Sequence, residues 1–368
     1  MRIAVQAILA IVLALPGQQS RAADAADVTE LLGIAWESFW QQSGYPRNVF
    51  KWRTPIRVRF LGDTADRHRE FALRQLQSVA AVAGIEIAEA AADGADTNLE
   101  VEFFSNVNSL PATEPCSTRV TTRNGIIQRA KISANDMSVW RCMLHETMHA
   151  MGIPGHPYRN SVLTYFARSA TLTAADLLIL QSIYSSEVEP GMSPFPALVI
   201  IARRLVESVA PGADRSEAEQ AARAFLQNTV RQMEDYAAGA GDLPVVVLRS
   251  GRATSSGLAN GRVQMQFLLG VAYSRGHIVE VDTGKAVGWL TRAAASLHAG
   301  AQYFLGNAYF RGIGVDRDPV EGYKWYYLAA ERGVPSARNA IRSVESQLQP
   351  EQIAEGKARA AASQPAKP

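Results

Sequence analysis

The sequence predicts two unlike parts, an α+β domain followed by an all-α array of helix pairs. Three observations support this. Segments with strand periodicity alternate with helical segments within residues 28–192, and residues 193–245 are helical by composition. Small and aromatic residues then recur every 36 positions within residues 260–348. The remaining residues, 349–368, are predicted to form a disordered tail.

Residues 1–22 are predicted to be a signal peptide. Arg2 supplies the positive start, residues 3–15 form an apolar run, and residues 20–22 offer a cleavage site with small residues. Since no stretch approaches about 18 consecutive apolar residues, we expect an exported protein, periplasmic or secreted, without stable membrane insertion. The 37 basic and 35 acidic side chains give a net charge of +2, which does not favour nucleic-acid binding.

The order of elements in the first part predicts a parallel crossover. Residues 55–62 alternate in polarity as a strand does, a helical segment follows and ends at Gly84, and residues 98–104 alternate again. Strand, helix and strand in this order are typical of parallel pairing. Further on, Asn124-Gly125 predicts a hairpin between two strands.

Cys116 and Cys142 are the two cysteines of the chain. An even pair in an oxidising compartment favours a disulfide, which would tie the hairpin to the helix that follows it. Two free buried thiols are the alternative. Cys142 also precedes His145 by three residues and shares its helical face, so its thiolate could instead join a metal ion.

The segment HETMHAMGIPGHP, residues 145–157, carries the residues most suited to chemistry. On a helix, His145 and His149 lie one turn apart on the same face, so both imidazoles can reach one Zn2+ ion, while Glu146 points towards a metal-bound water. Gly152 allows the helix to end in a left-handed conformation, after which the chain can turn back and deliver His156.

This pattern resembles the metzincin motif H-E-x-x-H-x-x-G-x-x-H, with one residue inserted before the third histidine. Gly155 stands at the expected position and His156 follows it. Pro154 and Gly155 are typical of a type II turn, which we expect to absorb the extra residue. The resemblance implies a Zn2+ ion bound by the three histidines, with the glutamate as general base. An exposed loop position for His156, with water as the third ligand, is the alternative.

Two further segments resemble parts of metzincins. SVLTYF, residues 161–166, is similar to the Met-turn, with Leu163 in place of the methionine. By this resemblance Tyr165 binds the metal or stabilises an oxyanion, and a role as a core aromatic is equally compatible with the sequence. Residues 172–184 are similar to the last metzincin helix, in which we expect Asp176 to make hydrogen bonds or to favour the helix N-terminus rather than to bind metal.

Seven residues recur with an offset of 36 in the second part. They are Gly270, Tyr273, Gly276, Asp282, Trp289, Ala293 and Ala294, matched by Gly306, Tyr309, Gly312, Asp318, Trp325, Ala329 and Ala330. Small residues allow two helices to approach closely, and aromatic residues fill the space between helix pairs. The pattern resembles the Sel1-like repeat, a relative of the tetratricopeptide repeat, in two copies with a partial third from Ala337.

These resemblances imply a metzincin-like zinc-peptidase domain with a C-terminal Sel1-like repeat solenoid. The main hypothesis is an exported zinc metalloendopeptidase that hydrolyses peptides or proteins, with repeats that bind a protein partner. A further hypothesis is that the metal site acts on cell-wall peptides, although nothing in the sequence selects that substrate. The alternative is a non-catalytic binding or scaffold protein, in which a degenerate peptidase fold keeps a structural metal. The chain also resembles a family of uncharacterised exported bacterial proteins, some of which have lost the histidines.

Overall fold

The computed structural model describes residues 25–40, 44–105, 116–158, 160–164, 171–209, 215–249 and 255–363. The predicted signal peptide and Tyr165 lie outside these ranges. Within them, every helix is too short or too polar to cross a lipid bilayer.

The first part of the chain is a small sheet covered by helices. Its strands are β1 (Ile56–Leu61), β2 (Ile87–Glu89), β3 (Leu99–Phe104), β4 (Cys116–Arg123) and β5 (Ile126–Asn135). Its helices are α1 (Ala25–Ser38), α2 (Ala65–Ala83), α3 (Val139–Ala150) and α4 (Ala174–Ile183).

The sheet has the strand order β2-β1-β3-β5-β4. β1 pairs in parallel with both β2 and β3, which confirms the predicted crossover through α2, and α2 ends at Gly84 as expected. β3 pairs in parallel with β5, while β4 and β5 form the antiparallel hairpin predicted at Asn124-Gly125. Inward residues of the central strands, Val58, Val101 and Ile132, are almost fully buried.

Three helices follow the sheet domain, α5 (Pro194–Val209), α6 (Arg215–Ala238) and the short α7 (Val245–Arg249). The predicted connector begins with α5, which packs on the sheet domain. Phe195 of α5 stacks on Trp36 of α1 with ring centroids 5.7 Å apart. Tyr236 of α6 donates a hydrogen bond to the carbonyl of Gly44. One continuous core therefore runs from α1 into the first repeat helix, where Leu269 is fully buried.

The second part consists of three antiparallel helix pairs. They are α8 (Ser255–Arg275) with α9 (Thr283–Ala295), α10 (Ala299–Arg311) with α11 (Pro319–Glu331), and α12 (Pro335–Glu345) with α13 (Pro350–Ala362). The recurring aspartates Asp282 and Asp318 each cap the second helix of a pair by accepting backbone N–H bonds. At the recurring Gly306, a Cβ atom would lie 2.5 Å from the Tyr326 ring, so the glycine is needed for close packing.

The predicted disordered tail is wrong for most of its length. Residues Pro350–Ala362 form α13, which completes the third helix pair. Gly356 packs against Tyr323 of α11, and Ala360 is fully buried. Arg359 forms ion pairs with Asp318 and Glu321 of α11. The polar composition of this segment reflects a terminal helix with one solvated face, because a solenoid needs such a cap.

Candidate metal centre

Helix α3 carries the first two histidines and ends in a Schellman motif. Gly152 has φ +89°, and its N–H donates to the carbonyl of His149 at 2.9 Å. The N–H of Ile153 donates to the carbonyl of Met148 at 3.2 Å. This confirms the predicted left-handed stop at Gly152, which reverses the chain immediately after the second histidine.

The structure brings His145, His149 and His156 together. Their Nε2 atoms lie 3.1 Å (His145–His149), 3.2 Å (His149–His156) and 3.3 Å (His145–His156) apart. Two of the rings are oriented through the other nitrogen, since His145 Nδ1 lies 2.9 Å from the Val162 carbonyl and His149 Nδ1 lies 2.7 Å from the Ile153 carbonyl. Donation from Nδ1 leaves the Nε2 lone pair free to bind a metal ion.

The donor set fits a zinc ion. Tetrahedral Zn2+ bound at about 2.0–2.1 Å places pairs of imidazole nitrogens about 3.3–3.4 Å apart, close to the observed separations. Lone pairs that converge in this way repel one another unless a cation lies between them. The three histidines form the group of potential metal ligands found among the described residues. That they hold zinc stays a prediction.

Burial keeps all three imidazoles neutral. Loss of hydration, followed by the repulsive influence of His149, lowers the pKa of His145 to about 4 and that of His156 to about 2. Burial also lowers the pKa of His149. Neutral imidazole is the form that binds zinc, so the cluster is in its ligand form at neutral pH.

The loop that carries His156 reaches the cluster by a route other than the predicted type II turn. A type II turn needs positive φ at its third residue, and Gly155 has no such φ. Instead, its N–H donates to the Ser38 carbonyl at 2.9 Å, and a Cβ atom here would lie 2.1 Å from the Glu37 carbonyl oxygen. The expected turn is therefore wrong, and close packing on the end of α1 places His156.

Glu146 is buried, with 6% of its surface exposed. Thr118 of β4 donates its hydroxyl to the Glu146 carboxylate at 2.7 Å and lies 3.1 Å from the Glu146 carbonyl. The glutamate thus joins α3 to the outer strand of the sheet. The sequence did not indicate the contact between Thr118 and Glu146 or the contact between Gly155 and the end of α1, because in both cases the two partners lie more than 25 residues apart.

Leu163 and Asp176 belong to the two other segments that resemble metzincins. Leu163, in the segment similar to a Met-turn, is almost fully buried. Asp176 caps α4 through a capping box with Thr173 and also accepts hydrogen bonds from Ser161 and Val162, as expected for a hydrogen-bonding residue. Val162 connects this network to His145, a link that the sequence did not indicate.

A disulfide joins Cys116 and Cys142, which confirms the predicted pairing. The two Cα atoms are 6.1 Å apart, and the bond links the first residue of β4 to the first turns of α3. Both sulfur atoms are used in this bond, so the alternatives of free thiols and of a Cys142 metal ligand are wrong.

A groove lies on the repeats, away from the histidines. It is an open groove of about 470 Å³, lined by α10, α11 and α12. Tyr303, Phe310 and Tyr326 supply aromatic surface, and Asn307 and Arg311 supply polar groups. Helix α12 contributes Asn339 and two serines, Ser336 and Ser343.

A family model for the Sel1 repeat matches two segments that coincide with the first and second helix pairs. Residues 263–296 and 299–334 are Sel1 repeats. The two complete repeats predicted from the sequence are confirmed, and the third helix pair follows the matched segments. Residues 32–202 match a second model, described as a protein of unknown function (DUF2927), over just under half of the chain.

Two curated relatives are alginate biosynthesis proteins AlgK. The one from Azotobacter vinelandii is 32% identical over 90 residues, which is 24% of this chain and 20% of that protein. The one from Pseudomonas syringae pv. tomato is 30% identical over 95 residues, 26% of this chain and 20% of that protein. The similarity therefore spans about a fifth of the length of these relatives, comparable to two or three repeats.

Solved structures with Sel1-type repeats are also similar to this chain. A Sel1 repeat protein from Oxalobacter formigenes is 28% identical and covers 35% of this chain and 94% of its own, with a TM-score of 0.23. The antigen c5321 of uropathogenic Escherichia coli, which has an SLR fold, is 18% identical and covers 61% of this chain and 52% of its own, with a TM-score of 0.27.

The prediction of a zinc metalloendopeptidase is wrong. Two relatives are named as alginate biosynthesis proteins, and the matching family models are described as the Sel1 repeat and as a protein of unknown function, so the similarities favour the repeat-based, non-catalytic alternative. The predictions of peptide hydrolysis and of cell-wall peptides as substrates are therefore wrong as well, while the roles predicted for Glu146 and Tyr165 are not tested by these similarities. The motif determines where two imidazoles and a carboxylate lie, and this placement alone does not determine what the site does.

Proposed function

We propose that this protein is a non-catalytic scaffold of the cell envelope, in which the Sel1 repeats bind a protein partner and the N-terminal domain is held together by a structural Zn2+ ion. The N-terminal domain, in this proposal, has a degenerate metzincin-like fold. The groove on the repeats is the observation on which the proposal chiefly depends. Export rests on the predicted signal peptide and agrees with the disulfide, because disulfides persist in oxidising compartments.

The groove suits an extended segment of a partner protein. Its aromatic side chains Tyr303, Phe310 and Tyr326 offer apolar contact, while the Asn307 side chain and the Arg311 guanidinium can bind backbone carbonyls or a carboxylate. Asn307 already donates to the Tyr303 carbonyl at 3.0 Å, which fixes the orientation of its amide. Rigid helices on three sides keep the groove open without a cost for ordering loops.

The Sel1 repeats, together with the similarity to proteins named for alginate biosynthesis, support partner binding rather than peptidase activity. Since the matched length is a fifth of those proteins, we leave alginate as a property of those proteins. Envelope assemblies need proteins that hold several components together, and a repeat array provides an extended surface for that purpose.

The way in which the cluster is assembled supports a structural role for the proposed zinc ion. His145 and His149 belong to α3, and His156 belongs to a loop packed on α1 through Gly155. An ion bound by all three would join these segments in the folded state only, so its binding free energy would stabilise the fold.

Site-specific photocrosslinking tests the partner-binding role. A photoreactive amino acid at Asn307 is expected to give one discrete adduct in envelope preparations. The matched control is Lys357, which is exposed on α13 and does not line the groove, and there the adduct is expected to be absent. Equal labelling at both positions would contradict the groove as the binding surface, and peptide hydrolysis that is lost in Glu146→Gln would contradict the non-catalytic role.

A further inference from the structure

The buried carboxylate of Asp176 accepts hydrogen bonds from four donors. Oδ1 accepts from the Ser161 hydroxyl at 2.6 Å. Oδ2 accepts from the Val162 N–H at 3.0 Å, the Thr173 N–H at 2.9 Å and the Thr173 hydroxyl at 2.8 Å. Only 2% of the Asp176 surface is exposed. Capping α4 requires the contacts with Thr173 alone, so the two contacts with the preceding loop need another explanation.

Val162 connects Asp176 to the histidine cluster. Its N–H donates to the Asp176 carboxylate, and its carbonyl lies 2.9 Å from His145 Nδ1. Val162 is thus hydrogen-bonded to the Asp176 carboxylate through its N–H and to the His145 imidazole through its carbonyl. Ser161 reinforces the arrangement, because its hydroxyl both donates to Asp176 and accepts from the Leu163 N–H at 3.0 Å.

The orientation of the Val162 carbonyl decides which nitrogen of His145 faces the cluster. Donation of the Nδ1 proton to this carbonyl leaves Nε2 unprotonated and directed at His149 and His156. If the loop moved, His145 could rotate or adopt the other tautomer, and its lone pair would leave the cluster.

The charge of Asp176 is a second observation. Among the described residues no lysine or arginine forms an ion pair with it, although it is buried next to the cluster. Its negative charge is compensated by the four hydrogen-bond donors. A divalent cation on the three histidines would add a positive charge on the other side of the Val162 peptide group.

We propose that Asp176 is a positioning residue of the histidine cluster. Through Val162 it holds His145 in the tautomer and orientation that direct Nε2 to the metal. This inference rests on the proposed zinc site. It assigns Asp176 an effect on metal affinity in addition to its capping of α4.

The test is the zinc dissociation constant of the full chain, measured by competition with a chromophoric chelator. Asp176→Asn keeps the size of the side chain but replaces one acceptor oxygen with a donor NH2 group. We expect zinc binding to weaken about 10- to 100-fold, the usual effect of removing a group that orients a ligand. Asp282→Asn is the matched control, because Asp282 caps α9 in the repeats, and it is expected to bind zinc as the unchanged protein does.

A spectroscopic measurement separates positioning from a purely structural role. The visible absorption of the Co2+-substituted protein reports ligand geometry, and Asp176→Asn is expected to change it while the Asp282→Asn spectrum stays unchanged. Ser161→Ala, which removes one of the four donors, is expected to weaken zinc binding about threefold or more. This variant tests the positioning role if Asp176→Asn does not fold.

The outcomes are distinguishable. A folded Asp176→Asn protein with unchanged zinc affinity and an unchanged Co2+ spectrum would overturn the positioning role. Unchanged affinity in Ser161→Ala would overturn it if Asp176→Asn is unfolded. A folded wild-type protein that binds no zinc would instead contradict the proposed metal site itself.

Discussion

The histidine cluster and the repeat groove are assembled in opposite ways. The cluster draws on the end of α1, on β4, on α3 and on the loop before α4, so contacts such as Tyr158 to Glu37 span 121 residues. The groove is built from three consecutive helices between Tyr303 and Gln347. Long-range links therefore decide the integrity of the cluster, whereas packing between neighbouring helices decides that of the groove.

Loss of the disulfide is expected to have the largest effect and to act on the cluster side alone. Replacing Cys116 and Cys142 by alanine removes a cross-link over a sequence separation of 26. It should lower the free energy of unfolding by about 3–4 kcal/mol in the chain-entropy model. Urea unfolding of the double variant measures this. Reducing agent should lower the wild-type value to match and leave the variant unchanged, and a loss below about 1 kcal/mol would contradict the expected dependence.

Gly155→Ala tests how the third histidine is placed. A Cβ atom would lie 2.1 Å from the Glu37 carbonyl oxygen, so the loop must move away from α1 at a cost of about 2–3 kcal/mol, and zinc affinity should fall with it. Gly33→Ala in α1 is the control, since nothing lies within 4 Å of its Cβ position. If Gly155→Ala binds zinc as tightly as wild type, packing on α1 does not place His156.

Gly306→Ala tests close packing in the repeats. Its Cβ atom would lie 2.5 Å from the Tyr326 ring, which predicts a loss of about 1–2 kcal/mol by overpacking. Gly288→Ala, in a helix with open space around it, should instead stabilise the protein by up to about 1 kcal/mol. Thermal unfolding compares the two, and equal effects would contradict the role assigned to the glycine.

Arg359→Ala should have the smallest effect. Arg359 pairs with Asp318, Glu321 and Glu355, but its side chain is 37% exposed, and partly exposed ion pairs contribute less than about 1 kcal/mol each. The buried faces of Gly356 and Ala360 should keep α13 folded. Hydrogen exchange of α13 measures this, with Lys357→Ala as control, and complete loss of protection in Arg359→Ala would contradict it.

Local patterns in the sequence predicted much of the fold. The crossover, the hairpin, the Gly152 stop and the repeats each depend on residues close together in the chain, so periodicity and turn chemistry suffice to find them. The tail helix was missed because its composition resembles that of a disordered segment. Only packing against α11 shows that Ala360 is buried.

The sequence predicted the ligands of the candidate site but not the contacts that orient these ligands. His145, His149 and His156 were recognised by their spacing, and the structure places them together. The contacts that orient them come from the Val162 carbonyl and from the end of α1. Since every residue has a backbone carbonyl, the sequence does not show which carbonyl makes such a contact. The enzymatic interpretation failed for a different reason, because the motif is compatible with both catalytic and structural metal sites.

The most direct test of a structural zinc ion is the zinc content of the purified protein together with its thermal unfolding, with and without chelator, beside His149→Ala. We predict about one zinc ion per chain in the wild type and none in the variant, with the chelator lowering the unfolding temperature of the wild type only. A folded wild-type protein without zinc, whose unfolding temperature is unchanged when zinc is added, would contradict the account.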